Sequence, residues 1–231
     1  MLAIILTYAS FFEFLPFQVQ NLKKYVKVPF KIYVIDNSLL SGQKYHGDVH
    51  YLFCPVSGSP SHRHQQAVNC GLSEAWKECR SFLLFDNDMI FTEDFYLPHE
   101  TSYVPQQRGN WIYAWLNLLY FPKDERLKSF DFTNCPETGE RTDSGGSFGR
   151  YLRSGGVCQV IDELKSDDCL AEYQKEYKDL CSRYGVGVWY DIFRINNARV
   201  FHFRALSNWT KYPEQFQIEK KALILRHVQV I

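Results

Sequence analysis

An apolar strand that runs directly into two carboxylates is the feature that most constrains how this chain can fold. Residues 81–85 read Ser-Phe-Leu-Leu-Phe, and Asp86, Asn87 and Asp88 follow at once. Ionised carboxylates at the end of a buried strand cost free energy unless something positive lies beside them. Side chains at i and i+2 of an extended segment point the same way, so Asp86 and Asp88 are predicted to converge on one divalent cation. The alternative is a strand-ending turn in which these side chains only cap the backbone.

Composition excludes several classes of function. The chain has 231 residues, enough for one α/β domain or two small ones, and its Lys+Arg and Asp+Glu balance at 26 each. No net charge therefore favours nucleic acid or an anionic membrane as a partner. No apolar stretch approaches the ~20 residues of a membrane span. Whether the chain is one domain of a longer protein is left open.

The cysteines indicate a compartment rather than a site. There are seven cysteines and no Cys-x-x-Cys pair, which favours neither a zinc ribbon nor a disulfide framework. The apolar start of the chain has no basic residue before it and is too short for a signal peptide. Reduced thiols and a cytoplasmic location are therefore expected.

The first half of the sequence alternates between strand and helix patterns with short connections. This β-α-β-β-α-β order predicts an α/β fold, with an open, mostly parallel twisted sheet flanked by helices and a smaller acceptor-side subregion. The predicted strands and then the predicted helices are residues 2–7, 31–35, 49–53 and 81–85, and residues 11–25 and 64–78.

Ligands of open parallel sheets bind at the carboxyl ends of the strands. Several polar or aromatic residues are predicted to meet at that edge. They are Tyr8, Asp36, the loop 56–63, Asp86 and Asp88.

The second half is less regular, and we expect a single domain over residues 1–231, divided into a nucleotide-binding half at 1–95 and an acceptor-side half at 96–231. Residues 122–143 are charged and rich in turn formers, which predicts a loop. Three further strands and then two helices are predicted at residues 111–121, 186–190 and 198–203, and at residues 148–153 and 160–183.

Two motifs and a distant histidine carry a resemblance to a known family. Asp36 follows the second predicted strand, Asp86-Asn87-Asp88 has the form Asp-x-Asp, and His202 ends a late strand. In this order they resemble the GT-A class of nucleotide-sugar glycosyltransferases, particularly the family 2-like enzymes. The resemblance implies that Asp36 meets the uracil or ribose, that Asp88 binds the metal ion directly, that Asp86 contacts ribose or metal, and that His202 is the third protein ligand.

Shorter elements extend the resemblance to about residue 210. Residues 64–72 are similar to a helix that carries Asn-x-Gly-Leu, and Gly145-Gly146 resembles the loop before the acceptor helix. Residues 161–163 and 167–170 resemble an acidic stretch whose Asp is the base in inverting members of the family. The late strand that ends at His202 resembles the closing strand of the family and is followed by Ser207. No clear Gln-x-x-Arg-Trp motif is present, which is a departure from the family pattern.

The chemistry of glycosyl transfer assigns further roles. A nucleoside diphosphate leaves as an oxocarbenium-like centre forms, so a cation must neutralise the departing charge. Asp86, Asp88 and His202 suit Mn²⁺ or Mg²⁺, and the imidazole favours Mn²⁺; a core imidazole is the alternative for His202. Arg63 and His64, at the start of a helix, are predicted to meet phosphate, although a solvated Arg63 is the alternative.

An inverting enzyme also needs a base for the acceptor hydroxyl. Asp168 is the preferred candidate, because the resemblance supports it, and its alternative role is to cap a helix. Asp143 precedes two glycines that let a sugar approach the backbone, and its alternative is a turn aspartate. A retaining enzyme would need neither residue in this role.

Aromatic residues are candidates for stacking on the substrates. Tyr8 is a candidate for packing on the nucleobase. Four tryptophans are candidates for stacking on sugar faces or, alternatively, for the core: Trp111, Trp115, Trp189 and Trp209.

The sequence therefore predicts a metal-dependent hexosyl- or related glycosyltransferase that moves a sugar from a nucleotide sugar, UDP-linked by analogy, to a hydroxyl acceptor such as a glycan. One alternative is a nucleotidyltransferase that makes a nucleotide sugar, although residues 7–11 are not the Gly-rich basic loop typical of that class. The other is a sugar- or nucleotide-binding module without catalytic activity.

Overall fold

The computed structural model describes most of the chain. Of the residues named above, Asp167, Ser207 and Trp209 lie outside the described ranges. Those ranges are residues 1–38, 47–165, 168–204 and 212–229.

The chain divides into two compact units. Unit 1 consists of Met1–Phe12, Lys27–Asn87 and Tyr96–Ile161. Unit 2 consists of Glu13–Val26, Asp88–Phe95 and Asp162–Ile231.

Eleven strands are found within the described ranges. In chain order, β1 to β11 are Leu2–Tyr8, Phe30–Asp36, His50–Phe53, Ser81–Asp86, Met89–Phe91, Thr101–Arg108, Trp111–Pro122, Cys158–Val160, Asp162–Glu163, Asp191–Ile195 and Ala198–His202.

Five α-helices and two 3₁₀ turns are found in the same part of the chain. The helices α1 to α5 are Leu15–Tyr25, Pro60–Ala75, Phe148–Arg153, Ala171–Tyr184 and Glu214–Val228, and the 3₁₀ turns are Phe12–Phe14 and Glu125–Leu127.

Unit 1 contains a seven-stranded sheet in the order β3-β2-β1-β4-β7-β6-β8. Strands β1 to β4 pair in parallel, whereas β7 is antiparallel to both β4 and β6. This sheet confirms the predicted α/β class and its open, mostly parallel architecture. The register places Tyr8 opposite Asp36 and Thr7 opposite Asp86, so the polar residues that follow β1, β2 and β4 share one edge.

Helix α2 covers the parallel strands of unit 1. It begins at Pro60, whose fixed φ suits the first helical position, and the Ser59 side chain accepts a hydrogen bond from the backbone N–H of His62. Gly71 faces β1 so closely that a Cβ there would lie 2.8 Å from Ile5 Cγ2. The helix therefore packs directly on the sheet, and its first turn lies at the carboxyl edge.

Unit 2 contains a four-stranded antiparallel sheet in the order β5-β11-β10-β9. Helix α1 is fixed to the edge strand β5 by side-chain amides: Gln18 donates to the Met89 carbonyl at 2.9 Å, and Asn21 exchanges two 2.8 Å hydrogen bonds with the backbone of Phe91. Tyr173 of α4 packs its ring edge-on against Phe201 and Phe203, which anchors that helix to the end of β11.

Two predicted elements of the second half are wrong in part. Residues 186–190 are not a strand: α4 ends at Tyr184, Gly185 follows it in the left-handed conformation (φ 62°), and the next segment joins no ladder before Asp191. The predicted helix at residues 160–183 begins only at Ala171, and Asp162–Glu163 pairs with β10 instead. Hydrophobic spacing did not reveal the pairing of β9 with β10, because these two strands lie far apart in the sequence.

Candidate metal centre

Unit 2 holds an imidazole between two carboxylates. His202 ends β11, and the register places it opposite Asp191, the first residue of β10. Its Nδ1 lies 2.8 Å from Asp191 Oδ2, and its Nε2 lies 3.0 Å from Asp88 Oδ1. All three side chains are buried. The antiparallel pairing of β10 with β11 therefore fixes the ring of His202 by one carboxylate and directs its other nitrogen at Asp88.

Two cationic side chains balance this buried negative charge. Arg204 Nε donates to Asp191 Oδ2 at 2.5 Å. Although burial opposes the shift, the hydrogen bonds from His202 and Arg204 lower the pKa of Asp191. Lys220 of α5 is buried, and its Nζ donates to the Tyr177 hydroxyl at 3.0 Å. Burial lowers the pKa of Lys220 to about 8, and Asp88 opposes that shift.

The predicted metal ligands form a group of three. Asp86 ends β4 and lies two residues before Asp88 in the same turn, where its Oδ1 accepts the Asn87 backbone N–H at 2.9 Å and its Oδ2 accepts from the Asn117 amide. One potential ligand atom each from Asp86, Asp88 and His202 lies within 4.8 Å of the others. Two carboxylates and one imidazole are a donor set that suits Mn²⁺, with further positions left for phosphate oxygens and water.

At the carboxyl edge of unit 1, Asp36 is satisfied by neutral donors. Its side chain is fully buried; Oδ1 accepts the Ser38 N–H at 2.9 Å and Oδ2 accepts from the Tyr51 hydroxyl. Burial and the bond to Asp36 raise the pKa of Tyr51, which therefore stays a donor. Tyr8 is also fully buried and packs against Phe12 at 5.3 Å between ring centroids. The contacts of Asp36 and Tyr8 with a nucleobase remain predictions.

Arg63 and its neighbours leave polar atoms without partners at the same edge. Arg63 Nη2 donates to the Asn37 carbonyl at 2.7 Å. Three of the buried side-chain atoms that have no hydrogen-bond partner within the described ranges belong to these residues: Asn37 Oδ1, Arg63 Nε and Gln65 Oε1. Buried polar atoms are normally satisfied, so atoms without a partner are typical of places where water or a ligand binds.

His64 is held neutral in unit 1. Its Nδ1 lies 3.4 Å from Ser144 Oγ. Burial lowers the pKa of His64 to about 4, against the opposing charge of Asp143. A neutral ring can donate one hydrogen bond to phosphate but brings no positive charge at pH 7, so the predicted phosphate contact rests on the N–H alone.

The two candidate bases lie in different surroundings. Asp143 is partly exposed and caps its own turn, because its Oδ1 accepts the Ser144 N–H at 2.7 Å. Gly145 follows where any Cβ would lie 1.9 Å from the Ala114 carbonyl oxygen, so only glycine fits there. This close approach is made by β7 itself, and whether a sugar also contacts the loop remains a prediction.

Asp168 lines a cavity of unit 2. Its side chain is 96% exposed and lies 3.8 Å from Arg199. The cavity has a volume of about 430 Å³, and Lys24 and Thr92 also line it. Arg199 and His202 are three residues apart on β11, so their side chains point to opposite faces of the sheet. The structure therefore does not bring Asp168 together with His202.

The four tryptophans differ in exposure. Trp111 is buried and donates from Nε1 to the Gly146 carbonyl at 2.9 Å, which makes it a core residue. Trp115 is partly exposed, and Trp209 lies outside the described residues. Trp189 is 53% exposed in unit 2, with the Arg204 guanidinium 5.8 Å from its ring.

Sequence reasoning assigned no role to four residues that hold the site together: Asp191, Arg204, Lys220 and Asn117. Asp191 directly follows the strand predicted at residues 186–190, and Asn117 is a polar residue in the otherwise apolar run of β7, so a signal existed for these two. Arg204 and Lys220 could not be found in this way, because their partners are distant in sequence.

Comparison with known proteins gives likeness in structure alone. No known protein family and no curated protein sequence matches the chain. The galactosyltransferase LgtC, solved in complex with donor and acceptor sugar analogs, is similar with a TM-score of 0.34 and 10% identity, over 52% of this chain and 57% of that one. The chain thus spans little more than half of that enzyme's length.

A second solved structure covers more of the chain. The nucleoside-diphosphate-sugar pyrophosphorylase from Vibrio cholerae RC9 is similar with a TM-score of 0.38 and 12% identity, over 69% of this chain and 91% of that one.

No described helix of the present chain is both long enough and apolar enough to cross a membrane. The chain has an α/β fold and a candidate metal-binding group formed by Asp86, Asp88 and His202.

Proposed function

We propose that this chain is a metal-dependent glycosyltransferase that moves a sugar from a nucleotide sugar, UDP-linked, to a hydroxyl acceptor such as a glycan. The observation that carries the proposal is His202, whose ring is fixed by Asp191 and whose Nε2 lies 3.0 Å from Asp88. A carboxylate behind a histidine is the usual way to orient a metal-ligating imidazole.

The proposed ligands of Mn²⁺ are Asp86, Asp88 and His202. When bound, the ion supplies positive charge that stabilises the departing diphosphate. The chain's own part is to hold three donors in place before substrate arrives, which lowers the cost of assembling the site.

The nucleoside is proposed to bind at the carboxyl edge of unit 1. The orphaned atoms of Asn37, Arg63 and Gln65 support this placement, because a nucleoside offers both donors and acceptors. Asp36 sits behind them with both of its oxygens accepting hydrogen bonds, and Tyr51 would have to turn aside for a base to reach Oδ2.

For the base that accepts the acceptor proton, we propose Asp143 over Asp168. Asp168 reaches toward Arg199, whose side chain points to the sheet face opposite that of His202. Replacing Asp143 with Asn should lower kcat about 100-fold or more in an inverting enzyme, with nucleotide affinity unchanged, whereas Asp168→Asn should change kcat little. Equal losses of kcat in both variants would contradict this choice.

The function is tested by metal and nucleotide binding together. Wild-type protein should bind Mn²⁺, seen by electron paramagnetic resonance, and should hydrolyse a UDP-sugar slowly when Mn²⁺ is present. Asp88→Ala should abolish both, because it removes a direct ligand. Asp179→Ala on the exposed side of α4 is the matched control and should change neither. A wild-type protein that binds no Mn²⁺ and hydrolyses no nucleotide sugar would refute the proposal.

A further inference from the structure

Arg204 shares a carboxylate oxygen with the candidate metal ligand His202. Arg204 Nε donates to Asp191 Oδ2 at 2.5 Å, and His202 Nδ1 lies 2.8 Å from the same oxygen. Asp191 is buried, whereas the Arg204 side chain is 39% exposed. One buried carboxylate thus fixes both a metal ligand and a cation that reaches solvent.

The Nη groups of Arg204 are the part of this side chain that can contact an anion. Its Nε is occupied by Asp191, but no partner for Nη1 or Nη2 is found among the described residues. The guanidinium carbon lies 5.8 Å from the centroid of the exposed Trp189 ring, which restricts the conformations of the Arg204 side chain. Two parallel N–H groups on a fixed guanidinium match two phosphate oxygens.

The backbone holds Arg204 in an unusual conformation. Its φ is 48°, in the left-handed region that residues other than glycine seldom adopt. Lys220 Nζ donates to the Arg204 carbonyl at 3.1 Å, so the buried ammonium of α5 braces this turn. Such strain at a polar site is consistent with a side chain that is positioned for a ligand.

We infer that Arg204 binds the diphosphate of the donor nucleotide, and that Asp191 couples this anion contact to the metal ligand His202. The inference rests on the proposed function, since it names the group that meets the leaving diphosphate beside the cation. Arg204 would contact the substrate directly, and Asp191 would be a positioning residue for both His202 and Arg204.

The test separates cation binding from anion binding. Mn²⁺ alone is titrated by electron paramagnetic resonance, and preformed Mn²⁺–pyrophosphate is titrated by calorimetry. Arg204→Gln should keep Mn²⁺ affinity within about twofold and lose about tenfold or more in affinity for the pyrophosphate complex, because a charge-assisted bidentate contact disappears. Arg204→Lys should recover part of that loss, since it restores the charge without the planar fork.

Asp191→Asn should weaken both titrations, with a loss of about tenfold or more for Mn²⁺ and a changed electron paramagnetic resonance spectrum, because His202 and Arg204 both lose their anchor. The control is Arg183→Gln, which removes an exposed guanidinium of α4 that pairs with Glu219 at 2.9 Å, and it should change neither affinity.

Wild-type affinity of Arg204→Gln for Mn²⁺–pyrophosphate overturns the role of Arg204. An effect of Asp191→Asn on only one of the two titrations overturns the coupling. A wild-type protein that binds no Mn²⁺ overturns the proposed function itself, so the two failures are distinguishable.

Discussion

The two units stabilise buried carboxylates in opposite ways. In unit 1, Asp36 accepts hydrogen bonds from neutral donors, the Ser38 N–H and the Tyr51 hydroxyl. In unit 2, Asp191 is held by a guanidinium and an imidazole that come from beyond the β10–β11 turn. A buried carboxylate whose oxygens both accept from neutral donors is satisfied without a further ligand, whereas a cluster of charged groups can exchange one partner for another.

This difference indicates that unit 2 is the unit in which a protein contact can be exchanged for a ligand. The buried titratable groups of unit 2 include two carboxylates, an imidazole and an ammonium. They belong to Asp88, Asp191, His202 and Lys220. Breaking such a cluster leaves unmatched charge in a low-dielectric interior, while breaking a neutral hydrogen bond leaves one unsatisfied dipole. The free energies of unfolding of single variants should therefore rank the two arrangements.

The largest effect is expected from Asp191→Ala. Removing one member of a buried ion pair typically costs about 3–5 kcal/mol, because the remaining charge loses its partner. Here His202 stays buried and Arg204 loses its anchor. Urea unfolding followed by near-ultraviolet circular dichroism should show this loss. A change below about 1 kcal/mol would mean that the charges of unit 2 are solvated after all.

An intermediate effect is expected from the pH dependence that His64 contributes to unit 1. Its pKa is about 4 in the folded chain and about 6.5 when unfolded, so the unfolded state binds the proton more tightly. Stability should fall as pH decreases from about 6.5 to about 4, by roughly 2 kcal/mol for this partly exposed ring.

His64→Gln should remove that part of the pH dependence. The measurement is the free energy of unfolding of both proteins between pH 4 and pH 7, and the difference between them isolates the one ring from the other histidines. Parallel curves for the two proteins would show that His64 is not held neutral in the fold.

The smallest effect is expected from Tyr51→Phe, which removes one neutral donor from Asp36. A hydrogen bond to a charged group contributes about 1.5 kcal/mol or slightly more, and the Ser38 N–H remains. Thermal unfolding should show this modest loss, and Mn²⁺ affinity should equal that of the wild type. A variant of Tyr51 that lost Mn²⁺ binding would remove the distinction between the two units.

Much of the fold follows from local sequence pattern. The strand that ends in Asp86 was predicted within one residue, because five apolar residues in a row followed by a polar break have few other interpretations. The edge shared by Tyr8, Asp36 and Asp86 also follows, since parallel strands place their carboxyl ends together.

The candidate site was predictable only in part. His202 was chosen through a family resemblance, and the structure does place it beside Asp88. The strand predicted at residues 186–190 was wrong, so the pairing that brings Asp191 to His202 was missed. A shift of a few residues in one strand boundary changes which side chains face each other.

The sequence by itself determined the order of strands and helices from β1 to β4 and the position of two carboxylates at a strand end, because periodicity and abrupt changes of polarity are local properties. Only the tertiary structure decided that one oxygen of Asp191 serves both His202 and Arg204, and that Asp168 reaches toward Arg199 instead. Those contacts join residues on different strands and loops, and their geometry depends on register and burial, which no local pattern specifies.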